Sequence, residues 1–259
     1  MTASAPVVVG VDGSDDALHA VRWGIARARR LGRPLRLVHA FPWPLVQAPG
    51  HVATGLALGP GLRAEAQKVV DEARALVPED QPVRTEVHIG FAAPTLLAEA
   101  EHAESVLVGS HGLGGVGALL IGSTGVELAA RAPCPVIVLP YDAGPDDAPR
   151  TIVIGDDGSA PARDAIAFGR AEAAALGVPA VIIHAGDDRP PADAGGVPYR
   201  TVHGHPAHEL ITAAGDTGMI VVGSRGRGGF RGLLLGSTSQ TVLHHARCAV
   251  AVVHAPPGT

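Results

Sequence analysis

The residues whose types and spacing suggest chemistry form two glycine-rich segments, each directly after an apolar run. Residues 109–112 (Gly-Ser-His-Gly) are followed by nine residues and then by 122–124 (Gly-Ser-Thr). The same order returns in residues 223–226 (Gly-Ser-Arg-Gly) and 236–238 (Gly-Ser-Thr). A glycine-rich turn that joins a buried strand to a helix exposes backbone N–H groups, which bind phosphate oxygens. Two such segments in matching contexts predict two phosphate-binding loops.

The elements that must position these loops follow a βαβ pattern. Residues 7–11 form a β-branched run that predicts a buried strand, and residues 16–31 carry apolar side chains at helical spacing. Ser14 or Asp15 is a suitable N-cap, and residues 35–40 predict the next strand. Further strands are expected at 83–89, 106–108 and 135–140, and helices at 63–76, 95–103 and 123–132. Strands and helices in this alternation indicate a parallel α/β sheet.

The chain contains an internal duplication. Residues 7–40 match 152–185 at 15 of 34 positions, and residues 105–139 match 219–253 at 15 of 35, which indicates two copies of one domain. The first match has an offset of 145 residues and the second of 114, so the second copy lacks about 31 residues between its second and third strands. We therefore predict a first domain over residues 1–147 and a shortened second domain over 148–259.

Composition excludes several classes of protein. The net charge of −5 disfavours a general nucleic-acid-binding protein. No apolar run approaches the roughly 18 residues of a membrane span, and no secretory signal pattern opens the chain, so we expect a cytoplasmic protein without membrane association. Lys68 is the single lysine and lies outside both glycine-rich segments, which excludes a Walker-type loop.

The pattern strand–Gly-x-x-Gly–nine residues–Gly-Ser-Thr, with a first strand that ends in Val-Asp-Gly-Ser, resembles the universal stress protein family. Both copies match that family's ATP-binding spacing, and the resemblance covers residues 6–140 and 150–255. It implies two tandem Rossmann-like α/β domains, each a five-stranded parallel sheet of order 3-2-1-4-5 flanked by helices. It also implies ATP binding at the carboxyl ends of the strands, where the strand order reverses.

The resemblance assigns binding roles position by position. Asp12 and Asp157 fall on the acidic residue that contacts the nucleoside, Ala40 and Ala185 on the strand end near adenine, and Val108 and Val222 on the apolar residue against the base. The remaining assigned residues belong to the first-strand ends and to the phosphate and ribose loops. They are Gly10, Gly109, Gly112, Gly122, Ser123 and Thr124 in the first copy, and Gly155, Gly223, Gly226, Gly236, Ser237 and Thr238 in the second.

Other interpretations of these residues stay open at this point. Asp12 and Asp157 also suit turns in which the carboxylate binds its own backbone. Arg225 lies in the second loop where His111 stands in the first, so the second site could hold phosphate more strongly, although a solvated arginine is an equally good reading. No catalytic residue and no metal ligand is assigned. The three histidines 203, 205 and 208 lack a completing carboxylate or cysteine. Cys134 and Cys248 are expected to be buried small hydrophobic residues.

Three functions are compatible with the sequence. The first is a non-enzymatic, nucleotide-dependent regulator of a stress response. The second is a slow ATPase or phosphotransfer enzyme in which Asp12 or Asp157 holds Mg²⁺. The third is an interaction scaffold whose nucleotide sites are vestigial. The resemblance also implies that the last strands, 136–139 and 250–253, pair antiparallel between the halves, which gives an intrachain pseudo-dimer; a homodimer is possible in addition.

Overall fold

The structure of the protein is a computed structural model that describes residues 4–42, 47–48, 51–52, 59–112, 121–140, 148–185, 196–226 and 235–254. The elements of the first half are β1 (Val7–Gly10), α1 (Asp15–Leu31), β2 (Leu35–Phe41), β3 (Gln47–Ala48), β4 (His51–Val52), α2 (Gly59–Ala75), β5 (Val83–Ile89), α3 (Ala92–Ala100), β6 (Ser105–Gly109), α4 (Ser123–Arg131) and β7 (Val136–Leu139). Those of the second half are β8 (Ile152–Asp156), α5 (Ala160–Leu176), β9 (Ala180–Ala185), β10 (Tyr199–Val202), α6 (Pro206–Ala214), β11 (Met219–Gly223), α7 (Ser237–His245) and β12 (Ala249–Val253).

Local signals determine where the first helix of each half begins and ends. Ser14 is the N-cap of α1, and its hydroxyl accepts a hydrogen bond from the Ala17 N–H at 3.2 Å. Gly32 ends the helix in the left-handed region, with φ of 60°, where glycine carries no steric penalty. Ser159 and Gly177 repeat both caps in α5.

Each half forms the predicted five-stranded parallel sheet. The order is β5-β2-β1-β6-β7 in the first half and β10-β9-β8-β11-β12 in the second, which is third-second-first-fourth-fifth in both. The first strand of each half therefore has its second strand on one side and its fourth on the other. From the first strand, the chain builds the sheet to one side through the second strand and later to the other side through the fourth. This reversal opens a crevice at the carboxyl ends of the strands.

The two halves share one ten-stranded sheet. Strands β7 and β12 pair antiparallel, with Ile137 opposite Ala251, as the family resemblance implied. Both strands are buried along their whole length. The pairing converts two exposed apolar edges into the centre of the sheet, which removes a surface prone to aggregation.

The core has an aliphatic layer on each face of the sheet. Helices α1, α2 and α5 contribute Ala20, Val70 and Ala165 to one face. Helices α3, α4, α6 and α7 cover the opposite face, where Leu128 and Leu210 are buried. No helix in the described part of the chain is long and apolar enough to cross a membrane.

Residues 41–62 are rich in proline and glycine, which predicts an irregular loop, and the structure differs from this prediction. Part of the stretch forms the short hairpin β3–β4, and α2 already begins at Gly59. Helix α3 likewise begins at Ala92 rather than at Thr95. Helix α2 has no counterpart among the described residues of the second half, and residues 186–195 lie outside them. The boundary between 147 and 148 stays a prediction, since residues 141–147 also lie outside.

Candidate functional site

The first candidate site is a cavity of about 340 Å³ at the carboxyl ends of β1, β2 and β6. The first turn of α4 forms its other wall. All nine residues that the sequence assigned to the first half line it: Gly10, Asp12, Ala40, Val108, Gly109, Gly112, Gly122, Ser123 and Thr124. The tertiary structure therefore brings together residues that are up to 114 positions apart in the chain.

Two glycines let the loop of the first half approach its neighbours closely. A Cβ atom on Gly109 would lie 2.6 Å from the Asp16 Cβ and 2.8 Å from the Asp16 carbonyl carbon. One on Gly112 would lie 2.4 Å from Oδ2 of Asp12. Both distances are shorter than van der Waals contact, so a larger residue at either position would displace the loop or the carboxylate.

The N-terminus of α4 presents backbone donors to the cavity. Gly122 is the N-cap in an extended conformation, and no described side chain caps the helix. The N–H of Gly122 donates to the Ser110 carbonyl at 2.7 Å, which ties the loop to the helix start. The amides of the first helical turn have no intrahelical acceptor, and the helix dipole adds partial positive charge there. This end of the cavity is therefore suited to an anion.

Asp12 forms the turn that the alternative interpretation proposed. Its Oδ1 accepts hydrogen bonds from the Ser14 N–H at 3.0 Å and from the Ser14 hydroxyl at 2.6 Å. Its Oδ2 faces Gly112 across the cavity. In the second half, Asp157 accepts from the Ser159 N–H at 3.0 Å and faces Gly226 in the same way. The turn thus orients one carboxylate oxygen, and the other is directed toward the cavity.

The second candidate site repeats the first at the ends of β8 and β11. Its cavity has a volume of about 450 Å³ and is lined by the predicted residues Gly155, Asp157, Val222, Gly223, Gly226, Gly236, Ser237 and Thr238. Gly236 caps α7 as Gly122 caps α4, and its N–H donates to the Ser224 carbonyl at 2.8 Å. Ala185 ends β9, but its side chain lies outside the described part of the structure.

Gly10 and Gly155 border the cavities, but each also makes room for a core side chain. A Cβ on Gly10 would lie 2.7 Å from Leu96 Cδ1, and one on Gly155 would lie 3.1 Å from Leu210 Cδ1. The leucines belong to α3 and α6, which pack against the strand ends. These two glycines therefore have a packing role that the sequence did not indicate.

The second site contains a buried carboxylate that the sequence analysis did not assign. In the alignment of the two repeats, Asp156 is the counterpart of Val11. It lines the second cavity and is only 5% exposed. It accepts hydrogen bonds from the Tyr199 hydroxyl at 2.6 Å and from the Gly158 N–H at 2.8 Å. His184 Nδ1 lies 2.9 Å from the Asp156 carbonyl oxygen. The repeat alignment could have identified this position, because the second repeat has an aspartate where the first has the apolar residue valine.

The first site contains a serine, a histidine and an aspartate in mutual contact, which the sequence did not predict. The Ser110 hydroxyl donates to Asp16 Oδ2 at 2.9 Å, and the His111 N–H donates to the same oxygen at 2.9 Å. His111 Nδ1 lies 2.8 Å from the Ser110 hydroxyl oxygen and 3.2 Å from Asp16 Oδ2. Both partners contact the same ring nitrogen, so the ring does not relay a proton between them. Ser110 is also buried, and the cluster stabilises the loop.

Among the described residues, neither the cysteines nor the histidines near α6 line a candidate cavity. Cys134 and Cys248 are buried as predicted, and desolvation raises the pKa of each thiol to about 12. The three histidines near α6 do not form a metal site. Within the described residues, the group close enough for one is Glu86, His88 and Glu99, and Arg36 already pairs with both carboxylates.

The sequence and the fold match those of a known family. The sequence model of the Universal stress protein family matches residues 4–140 and 192–254. The chain belongs to this family. The universal stress proteins Rv2005c and Rv2623 of Mycobacterium tuberculosis are 31% and 30% identical to it, in alignments of 288 and 289 positions including gaps. These alignments cover 95% and 96% of this chain and 96% of each relative, so the chain is similar to the relatives along nearly their whole length.

Solved structures of universal stress proteins share the architecture of the whole chain. The crystal structure of a universal stress protein from Archaeoglobus fulgidus DSM 4304 superposes with a TM-score of 0.70 at 17% sequence identity. The superposition covers 99% of this chain and 98% of that one. At this level of identity the match shows that the fold is shared, including the tandem arrangement of two α/β halves.

Proposed function

We propose that this universal stress protein binds ATP in both halves and acts as a nucleotide-dependent regulator rather than as an efficient enzyme. The observation that carries the proposal is the repetition of one cavity, with its glycine loop and uncapped helix N-terminus, in both halves. We also propose a cytoplasmic location, a role in stress response, no nucleic-acid partner, and a capacity for homodimer formation.

The chemistry of the first cavity fits the parts of an adenine nucleotide. Ala40 and Val108 provide a small apolar surface suited to the base, and Asp12 provides an acceptor for ribose hydroxyl groups. The amides of Ser123 and Thr124 at the start of α4 would bind the phosphates. In the alternative in which the protein hydrolyses ATP, Asp12 or Asp157 would instead hold a Mg²⁺ ion, which would neutralise phosphate charge.

A non-enzymatic role is favoured because the described residues of the first cavity include no base arranged to activate water or a nucleophile. The contacts of Ser110, His111 and Asp16 hold the loop together and leave no described nucleophile with an activating partner in the first cavity. The alternative of a slow ATPase or phosphotransfer enzyme requires Asp12 or Asp157 to position Mg²⁺ and water. A scaffold with vestigial sites is disfavoured, since both cavities keep the complete set of loop residues.

Equilibrium dialysis with labelled ATP tests the binding proposal. We expect two ATP molecules per chain and a loss of at least about 100-fold in affinity when Gly122→Glu and Gly236→Glu are combined. A Cβ at these positions meets nothing closer than 3.5 Å, so the fold should persist, while the new carboxylates repel phosphate at the helix N-termini. Unchanged ATP affinity in a variant with a native circular dichroism spectrum would refute the proposal.

Turnover of labelled ATP over several hours distinguishes the regulator from the slow enzyme. We expect no turnover above the buffer background with the wild-type protein and Mg²⁺. Turnover that disappears when Asp12→Ala and Asp157→Ala are combined would instead establish the ATPase. Native mass spectrometry of freshly purified protein provides an independent check, because a tightly bound nucleotide is expected to remain with the chain.

A further inference from the structure

The interface between the halves has a pseudo-twofold axis at its centre. Ile137 and Ala251 occupy equivalent positions of the two repeats and lie opposite each other in the β7–β12 pair. The neighbouring pairs, Val138 with Val250 and Val136 with Val252, exchange places under the same operation. A residue close to a twofold axis contacts its own counterpart, so in a true homodimer it would meet an identical side chain.

Arg27 and Glu172 are such counterparts, and they carry opposite charges. They lie 145 positions apart, at the same point of α1 and α5. Arg27 Nη1 lies 2.7 Å from Glu172 Oε1, and the two side chains are only 4% and 6% exposed. Arg27 is also bound by Glu104 at 2.9 Å and by the Ser105 hydroxyl at 2.9 Å, and Arg30 pairs with the second Glu172 oxygen at 3.0 Å.

The Arg27 guanidinium is held in its charged form. Desolvation alone would lower the pKa of the Arg27 guanidinium, but Glu172 and Glu104 raise it above its ordinary value. A buried charge without an opposite partner is strongly destabilising, whereas one with good partners is tolerated. The axis therefore penalises any arrangement that brings two like charges together.

A pair of two first halves, or of two second halves, could not reproduce this electrically neutral group of buried charges. Two second halves would bring two copies of Glu172 to the axis, and Ala175 stands where the first half has Arg30. Gly218 stands where the first half has Glu104, so the polar surroundings of Arg27 are also specific to the first half. Two first halves would bring two Arg27 guanidinium groups to the same place.

We infer that the Arg27–Glu172 pair makes the first half complementary to a second half and not to another copy of itself. The strand edges β7 and β12 are apolar in both halves and do not by themselves distinguish like from unlike partners. The opposite charges at the axis provide the distinction, by favouring one pairing and opposing the two others. The partner selected for each half is therefore the unlike half, and the chain closes on itself rather than joining into like-paired oligomers.

The test uses the full chain with a protease site inserted between residues 140 and 148. The folded protein is cut, unfolded in urea and refolded with both halves present, and native mass spectrometry counts the complexes. For the wild type we expect almost only unlike pairs. When Arg27→Met and Glu172→Met are combined, we expect the like-paired fraction to rise at least about 10-fold, toward the roughly one half that random pairing produces. Methionine retains most of the buried volume.

The matched control combines Arg29→Met with Asp80→Met. This ion pair lies on the surface of the first half, and both side chains are well exposed, so its removal should leave the pairing unchanged. If the double methionine variant fails to refold, the isosteric Glu172→Gln variant replaces it and should also increase like pairs. Three results would overturn the inference: random pairing in the wild type, only unlike pairs in the neutral variants, or an equal shift in the control.

Discussion

The substitution Gly112→Ala tests how the first loop serves its site. A Cβ atom at this position would lie 2.4 Å from Oδ2 of Asp12, so the carboxylate must move. Alanine is otherwise compatible with the position, because the backbone there does not have positive φ. The substitution therefore perturbs mainly the orientation of Asp12, and Gly226→Ala does the same to Asp157 in the second half, where the distance is 2.3 Å.

The magnitude follows from the hydrogen bonds of the carboxylate. A hydrogen bond between a ligand hydroxyl and a carboxylate is worth about 1.5–3 kcal/mol. If Asp12 contacts the nucleoside, losing that contact should weaken ATP binding about 10- to 150-fold. The fold should lose less, since the displaced group is the end of a side chain and can rotate. Strain on the two bonds to Ser14 should reduce the free energy of unfolding by about 1 kcal/mol.

Isothermal titration calorimetry with ATP, combined with urea unfolding, measures both effects. The second site is inactivated by Gly236→Glu so that one affinity is observed. The decisive control is Gly112→Ala in an Asp12→Ala background, where the clashing oxygen is absent and the substitution should be nearly neutral. An affinity within about twofold of the wild type in the single variant, or an equal loss in both backgrounds, would refute the reasoning.

Three further predictions concern stability and reactivity. Gly109→Ala should lower the free energy of unfolding in urea by about 2–3 kcal/mol, because its Cβ would meet the backbone of Asp16; a smaller change than 1 kcal/mol would contradict the close approach. Cys134 and Cys248, whose thiol pKa is raised to about 12, should react with Ellman's reagent at pH 8 about three orders of magnitude more slowly than in urea; equal rates would show accessible thiolates. Burial lowers the pKa of His254, so the stability that depends on its neutral imidazole should be fully present above the unfolded pKa of about 6.5 and be lost as the pH falls through the folded pKa. His254→Gln should therefore flatten the pH dependence of the free energy of unfolding in urea between pH 8 and 5. An unchanged pH dependence would exclude this role of His254.

Local patterns were sufficient to predict most of the fold. The caps at Ser14 and Gly32 and the apolar periodicity of α1 are determined by residues within one or two turns of each other. The region around α2 was predicted less well, since a glycine-rich stretch such as 59–61 carries little helical signal of its own. There the helix is stabilised by its packing on β2 and β5, and sequence periodicity does not contain that information.

The residues of the candidate sites were likewise predicted from the sequence only in part. The glycine spacing predicted the loop glycines and the Gly-Ser-Thr residues that line both cavities, because a tight turn before a helix requires particular residues at particular intervals. Ser110 and His111 also line the first cavity, and the sequence did not assign them. The Asp156–Tyr199 hydrogen bond was missed, as it joins two strands across 43 positions with no motif between them. The contact of Ser110 with Asp16, across 94 positions, was missed for the same reason.

The sequence alone determined that the chain has two related halves, most of the elements that each contains, and which glycine-rich loops border the cavities. These features depend on residue type and spacing along the chain. Only the tertiary structure showed that Arg27 meets Glu172, because the repeat alignment makes them equivalent without placing them together. The contact exists because β7 pairs with β12 in a symmetric register and brings α1 and α5 to the same axis. Whether a buried charge lies beside an opposite charge is decided by the tertiary structure. The preference of each half for the unlike half therefore depends on the assembled ten-stranded sheet.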